Sequence, residues 1–269
     1  MRIRSGVYWS KGAGHGKNQD SLSLQHVLLR TGECLFAIVC DGIGSLPYSE
    51  EASGYAVRRM TDWFYHEGKE LICRGRSKEL ILLALQKQCC RMQEELVRFQ
   101  RMRGIQTGTT CSAVLLHNRR YYLIHIGDSR IYRIRKSKFP IGTQFYYVRS
   151  MTKAHTDSQG RLLRCLGMDG GDRAVIETGR LAKGTGLLLC TDGFCYGEEK
   201  TLRKKIGQAL GPLIGSGGRF RGGVGGRQGR GKKHTDGDRG IDRRLEVLGE
   251  QAKAAGGRDD MAAAGILVT

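Results

Sequence analysis

Three apolar runs in this chain end in an aspartate beside a glycine. Ala37–Cys40 leads into Asp41-Gly42, Leu123–Ile126 into Gly127-Asp128, and Leu187–Cys190 into Thr191-Asp192-Gly193. Taken singly, Asp-Gly is ordinary turn chemistry after a strand. Taken together, strand-end loops converging at one end of a β structure would gather carboxylates that repel one another. Hard divalent cations with oxygen ligands relieve such repulsion. Asp20, opening a strand after Asn18-Gln19, and Asp259-Asp260, just before the last strand, join the set. Two cations roughly 3.5–4 Å apart lower the pKa of a shared water and stabilise in-line attack on phosphorus. The residues by themselves point to a Mg2+- or Mn2+-dependent hydrolase.

Such a site needs strands to carry it. Residues 3–9, 20–29 and 34–40 read as strands, the last a continuous apolar run suited to burial on both faces. Pro47 and Ser49 with Glu50 and Glu51 mark a helix start. That helix is expected to run to about His66 and to bury Ala52, Tyr55, Ala56, Met60 and Trp63. A second is expected from about Ser77 to Met102, with Leu80, Leu83, Ala84, Leu96 and Phe99 on its apolar side. Strands are expected again at 109–116, 121–126, 131–135, 145–149, 174–178 and 186–190. Asn118 supplies turn chemistry for a hairpin between the first two of these. A helix over 241–254 and a strand over 262–268 close the chain. Strands, two helices, strands and further helix make an α+β or layered pattern rather than a doubly wound sheet.

Composition narrows the class. The chain has 269 residues, 45 Lys+Arg against 26 Asp+Glu and a formal charge of +19, which invites a nucleic-acid reading. Of that charge, +10 falls within residues 200–244, where thirteen Lys+Arg face three Asp. The core of that stretch, residues 215–240, holds eleven glycines and reads as a flexible Gly/Arg-rich insert. The rest carries a knot of aspartates, so nucleic-acid binding is not the expectation. No apolar run approaches the ~18 residues of a membrane span, and Met1–Gly12 has no secretory apolar segment. Nine cysteines lie mostly in apolar runs with no Cys-x-x-Cys pair. Free buried thiols and a cytoplasmic location are the expectation.

Six blocks, in order, resemble the metal-dependent protein phosphatases, the type 2C-like Ser/Thr phosphatases, in their bacterial form. They are Lys17-Asn18-Gln19-Asp20, Asp41-Gly42-Ile43-Gly44, Thr107-Gly108-Thr109-Thr110, Gly127-Asp128-Ser129-Arg130, Thr191-Asp192-Gly193 and Gly257-Arg258-Asp259-Asp260-Met261. Leu162–Gly167 is a weaker seventh. The resemblance covers residues 5–268 apart from the insert and implies one catalytic domain over 1–269. It also implies two antiparallel β-sheets packed as a sandwich flanked by helices, a four-layer α-β-β-α arrangement. The implied activity is hydrolysis of phosphoserine or phosphothreonine on proteins by a metal-bridging hydroxide, with no phosphoenzyme. Asp41 would bridge two Mn2+ or Mg2+ ions, with the Gly42 carbonyl on one of them. Asp192 and Asp259 would complete the other ion's shell, and Asp20 would order metal-bound waters. Asp128 would hold a third, weaker ion.

Departures from the family pattern matter as much. The arginine expected five residues before Asp20 is His15, which lacks the bidentate fork of arginine; His15, or else Lys17, is the expected phosphate contact. Gln19 stands where a glutamate is common, Ile43 where some members have histidine, Ser45 for a glycine and Asp260 for asparagine. Thr109 and Thr110 read as satisfying nearby backbone, Ser129 and Arg130 as shaping the turn behind Asp128. Cys40 and Cys190 read as core residues rather than nucleophiles. The expected partners are phosphoproteins and a Ser/Thr kinase whose work the enzyme opposes, the protein itself being a monomer. Two alternatives stand beside this: a phosphatase of a stress or sigma-factor switch, and a catalytically weak binding module that uses the basic insert.

Overall fold

The computed structural model describes residues 2–14, 16–141, 144–168, 174–214 and 236–269. His15 and residues 215–235 of the Gly/Arg-rich stretch lie outside the described residues. Ten strands fall into two five-stranded sheets: β1 (Ile3–Ser10), β2 (Asp20–Leu29), β3 (Gly32–Asp41), β4 (Cys111–His117), β5 (Arg120–Ile126), β6 (Arg130–Ile141), β7 (Gln144–Ser150), β8 (Val175–Arg180), β9 (Thr185–Cys190) and β10 (Met261–Val268). One sheet has the order β1-β10-β9-β6-β7, the other β2-β3-β4-β5-β8, and every pairing between named strands is antiparallel. Helices α1 (Ser49–Trp63), α2 (Lys69–Cys73) and α3 (Lys78–Arg103) precede β4, and α4 (Glu199–Leu210) and α5 (Asp236–Ala254) lie between β9 and β10. The fold is α+β, as expected.

The alternation within β3 explains the layering. Leu35, Ala37 and Val39 pack between the sheets against Leu187, Leu189, Ala262 and Ala264. Phe36, Ile38 and Cys40, on the opposite face, meet Ala56, Met60, Phe64 and Met92 of the helical layer. Helices α4 and α5 cover the other sheet, with Leu202, Ile206, Ile241 and Leu245 against Tyr132, Leu188 and Ala263. A strand buried on both faces must be apolar throughout, which is why the runs leading to the aspartates show no polar alternation.

Several expectations shift. The first helix does not stop near His66: it passes through a π turn at Phe64–Gly68 and continues as α2 to Cys73. Phe64 stacks on Phe36 at 5.5 Å within that turn. Helix α3 begins as expected, Ser77 capping it with a hydroxyl that accepts from the Leu80 N–H at 3.4 Å. Its buried face is rotated from the expected one, using Ile81, Ala84, Leu85, Cys89, Met92 and Leu96 and leaving Leu80 and Leu83 exposed. Helix α4 was not anticipated, although Leu202, Ile206 and Leu210 recur every fourth residue and are buried. Helix α5 starts at Asp236, inside the stretch expected to be an insert to residue 240. The β4–β5 hairpin turns on Asn118 and Arg119, at φ 45° and 66°, as the asparagine suggested. Among the described residues no helix is long and apolar enough to cross a membrane.

Candidate metal centre

Asp20 is the first residue of β2 and Asp41 the last of β3, and the two are register partners. Partners in an antiparallel pair project to the same face, so the hairpin itself sets two carboxyl groups side by side. Asp20 is buried. One of its oxygens accepts the Thr191 hydroxyl at 2.7 Å, and the other, Oδ1, is buried with no partner among the described residues. Its backbone is fixed as well: the N–H donates to the Asn18 side chain at 2.9 Å, and the carbonyl accepts the Trp9 indole N–H at 3.0 Å.

The backbone of Asp41 is held by the Thr109-Thr110 block. The Asp41 N–H donates to the Thr110 hydroxyl at 2.9 Å, while its carbonyl accepts the Thr110 N–H and the Thr109 hydroxyl, each at 2.8 Å. The Thr110 and Ser129 hydroxyls are 2.7 Å apart, which joins the Asp128 turn to Asp41 through a buried pair. Gly42 has no room for a side chain: a Cβ there would sit 2.4 Å from the Ser49 carbonyl and 2.9 Å from that of Gln19.

Asp192 sits in the turn after β9, and the neighbouring Gly193 lies against the Asp259-Asp260 segment, where a Cβ would come within 2.2 Å of the Asp260 carbonyl. Thr191, beside Asp192, accepts the Ala262 N–H at 3.0 Å, so β10 and Asp20 are both tied to this turn. Cys190 and Cys195 close the same turn as a disulfide, which corrects the expectation of free thiols for this pair. The reversal of chain direction brings them together, with the Cys195 N–H donating to both Thr191 and Asp192 carbonyls. The other seven cysteines are free. Burial pushes the Cys89 thiol well up and that of Cys165 to about 11, so these are inert packing groups.

The fold thus draws Asp20, Asp41, Asp128, Asp192 and Asp259 into one electrostatic neighbourhood. Desolvation first, then the Thr191 bond working against it and the charges of Asp192, Asp260 and Asp259 adding to it, raise the Asp20 carboxyl to about 8. Burial and the carboxyls of Asp20, Asp192 and Asp128 push Asp41 well above the usual carboxylate range, and Asp192 lies within hydrogen-bonding reach of it. Asp128 rises to about 6 through burial and the Asp192 charge. Among the described residues no three His, Cys, Asp or Glu side chains close into a ready-made ligand cage. Carboxyls that interact electrostatically, together with an Asp20 oxygen that has no partner among the described residues, offer oxygen donors alone. That set suits Mg2+ or Mn2+, which keep much of their water shell.

Asp260 does something its position in the sequence did not reveal. Its two oxygens accept the N–H groups of Gly12 at 2.7 Å and Gln19 at 2.8 Å. The segment 11–19, which leads into Asp20, is therefore pinned near both ends by one buried carboxylate. Asparagine, with a single acceptor oxygen, could not take both bonds in this way. Lys17, within that segment, is exposed and pairs with Glu50 at 2.9 Å. Arg130 turns from Asp128 toward Tyr132, at 3.2 Å, and Glu199, at 3.7 Å.

Two antiparallel sheets with helices outside carry these aspartates at their strand ends. The chain belongs to the protein phosphatase 2C family, which matches residues 13–210, and is by class a protein serine/threonine phosphatase. No curated protein sequence matches it. Among solved structures it is similar to the serine/threonine phosphatase Stp1 from Staphylococcus aureus. That match has 15% identity and a TM-score of 0.72, and it covers 100% of this chain and 96% of that one. It is also similar to PstP/Ppp of Mycobacterium tuberculosis, at 18% identity and a TM-score of 0.68 over 99% and 98%. The PstP catalytic domain in complex with two manganese ions matches with the same identity, score and coverage. At these identities the structural likeness speaks to the fold.

Proposed function

We propose that this protein removes phosphate from phosphoserine and phosphothreonine side chains of proteins, opposing a Ser/Thr kinase, with two Mn2+ or Mg2+ ions held by its strand-end aspartates. The observation that carries the reading is the mutual electrostatic contact of Asp20, Asp41, Asp128, Asp192 and Asp259, with one Asp20 oxygen buried and without a partner among the described residues. When bound, such ions supply a water of lowered pKa and neutralise charge building on the phosphoryl oxygens. Asp41 would hold both ions, with the Gly42 carbonyl on one of them. Asp192 and Asp259 would hold one of them, and Asp128 a third and weaker one. Asp20, oriented by Thr191, would accept hydrogen bonds from ion-bound water and fix its direction.

The whole chain 1–269 acts in this reading as one catalytic domain, with the Gly/Arg-rich stretch as an appendage that attracts acidic substrates. His15 or Lys17 would contact the substrate phosphate; Lys17 is exposed and pairs with Glu50 at the surface. A Lys17→Ala change is expected to alter KM less than threefold, and His15→Ala to raise it more. The decisive test is Mn2+-stimulated hydrolysis of a phosphothreonine peptide. Activity lost in Asp41→Ala and Asp192→Ala, with both variants folded, supports the reading, and activity retained in either overturns it.

A further inference from the structure

Five aromatic side chains are exposed among the described residues: Trp9, Tyr48, Tyr65, Tyr147 and Tyr196. Three of them, Trp9, Tyr48 and Tyr196, sit on segments joined to the strand-end aspartates. Trp9 lies near the end of β1, an edge strand, and donates its indole N–H at 3.0 Å to the carbonyl of Asp20 in the other sheet. The ring is fixed by that bond, yet it is 56% exposed. An indole with its polar end bonded and its apolar face in water is the form in which tryptophan serves at interfaces.

Tyr48 precedes α1, and the carbonyl of the next residue, Ser49, packs against Gly42, where a Cβ would lie 2.4 Å away. Tyr48 holds a left-handed backbone, φ 57° and ψ 28°. That conformation is costly for a bulky residue and natural for glycine. Strain of this kind collects where a side chain has a function, and the Tyr48 side chain is exposed. Tyr196 follows Cys195, whose N–H donates to the Asp192 carbonyl at 2.9 Å. Its ring closes on Gly257, 3.4 Å from a Cβ placed there and two residues before Asp259. Each ring is therefore anchored to a different arm of the carboxyl group.

We propose that Trp9, Tyr48 and Tyr196 form an aromatic rim that recognises an apolar side chain close in sequence to the phosphorylated residue of the substrate. The proposal rests on the phosphatase reading above and names its substrate class, phosphorylated segments with a leucine- or phenylalanine-like neighbour. Tryptophan and tyrosine are prominent among residues that dominate protein recognition, and a ring held in advance loses little freedom on binding. An extended chain advances ~3.3 Å per residue, so rings attached this closely to the aspartate segments face positions within about four residues of the phosphate.

The test uses the full chain with Mn2+ and alanine-based phosphothreonine peptides. In these a single leucine is moved from about four residues before the phosphothreonine to about four after it. At one or more positions leucine should raise kcat/KM about fivefold over alanine, chiefly through KM. Trp9→Phe keeps a ring and should keep that ratio. Trp9→Gln keeps a donor for the Asp20 carbonyl but no ring, and should cut the ratio at least about twofold. The ratio separates recognition from a disturbance of Asp20, which would slow both peptides alike. Tyr48→Gly should also cut the ratio without lowering Tm, because glycine relieves the left-handed backbone. In the unmutated protein, a non-hydrolysable phosphonate analogue of the best peptide should shield Trp9 from acrylamide quenching; Trp63, the other tryptophan, is buried. Peptides left unhydrolysed would overturn the phosphatase reading and this proposal together. Hydrolysis with a ratio near one at every position, a ratio unchanged in Trp9→Gln and Tyr48→Gly, or Trp9 quenching unmoved by the bound analogue would overturn the rim alone.

Discussion

Asp20 and Asp41 stand directly opposite each other at the open end of the β2–β3 hairpin, with Asp20 buried and its Oδ1 without a partner among the described residues. Two buried carboxyls in cross-strand register cost a sheet stability. In the proposed function the pair is kept for the ligand geometry it would provide.

Metal should stabilise the folded protein. Thermal denaturation with Mn2+ at about 100 times its Kd is expected to show roughly 2.7 kcal/mol of added stability per ion, removable with a chelator. Burial first, and then the neighbouring carboxyls, hold Asp41 well above the usual carboxylate range, so ionising it costs stability in the metal-free fold. Asp41→Asn, which carries no charge, should raise the stability of the chelated protein at pH 7 and should cut the Mn2+ effect. A chelated variant less stable than wild type would refute the argument from burial.

Thr110 supports Asp41 without touching a substrate. Its hydroxyl takes the Asp41 N–H and pairs with Ser129. Thr110→Val would leave both partners buried and unsatisfied, at a cost of about 2–3 kcal/mol. Mn2+ affinity measured by calorimetry should weaken with it, while Thr110→Ser, which keeps the hydroxyl, should restore most of both.

Asp260 offers a graded test of the tether on segment 11–19. Asp260→Ala removes the acceptors for Gly12 and Gln19 and is expected to cost about 2–4 kcal/mol in urea denaturation. Asp260→Asn keeps one acceptor, so about half of that loss is expected. Equal losses in the two variants would argue against the two-bond clamp.

His125 should set part of the acid sensitivity. It is buried on β5, with one ring nitrogen 2.9 Å from the Ser112 hydroxyl, the other 3.0 Å from the Lys153 carbonyl, and the His155 ring tilted against it at 4.8 Å. Burial is the main reason its pKa falls to about 4, and the His155 ring adds to the drop. Between pH 6.5 and 4 the unfolded chain binds the proton that the folded one refuses. This contribution is therefore present above pH 6.5 and lost as the pH falls toward 4, an effect of roughly 2–3 kcal/mol. His125→Gln should show a smaller stability difference between pH 7 and pH 4.5 than wild type, and an equal difference would rule His125 out as the source.

Much of the fold was legible because burial leaves its mark on local pattern. The strand read at 20–29 matches β2 residue for residue, and the uninterrupted apolar run of β3 follows from being covered on both faces. Helix α3 shows the limit. Its apolar residues are spread widely enough that Leu80 and Leu83 could have faced inward, and only packing against β3, β4 and α1 selects the Ile81–Leu85–Met92 face. Helix α4 was missed because seven residues of its twelve are charged or otherwise polar, which hid a three-residue stripe.

The aspartates of the site could be named from sequence because each follows or precedes a recognisable strand. What surrounds them could not. Thr191 reaches Asp20 across 171 residues, and Asp260 reaches Gln19 across 241. Hydrogen bonds of that kind depend on how two sheets are stacked, and no local periodicity encodes the stacking. The sequence by itself determined which side chains are candidates for the chemistry and which strands end in them. The tertiary structure decided that the carboxyls meet, which hydroxyls hold them, and that Cys190 closes on Cys195. Residue type and strand pattern are local properties, whereas desolvation, pairing and orphaned polar groups exist only once distant segments are packed together.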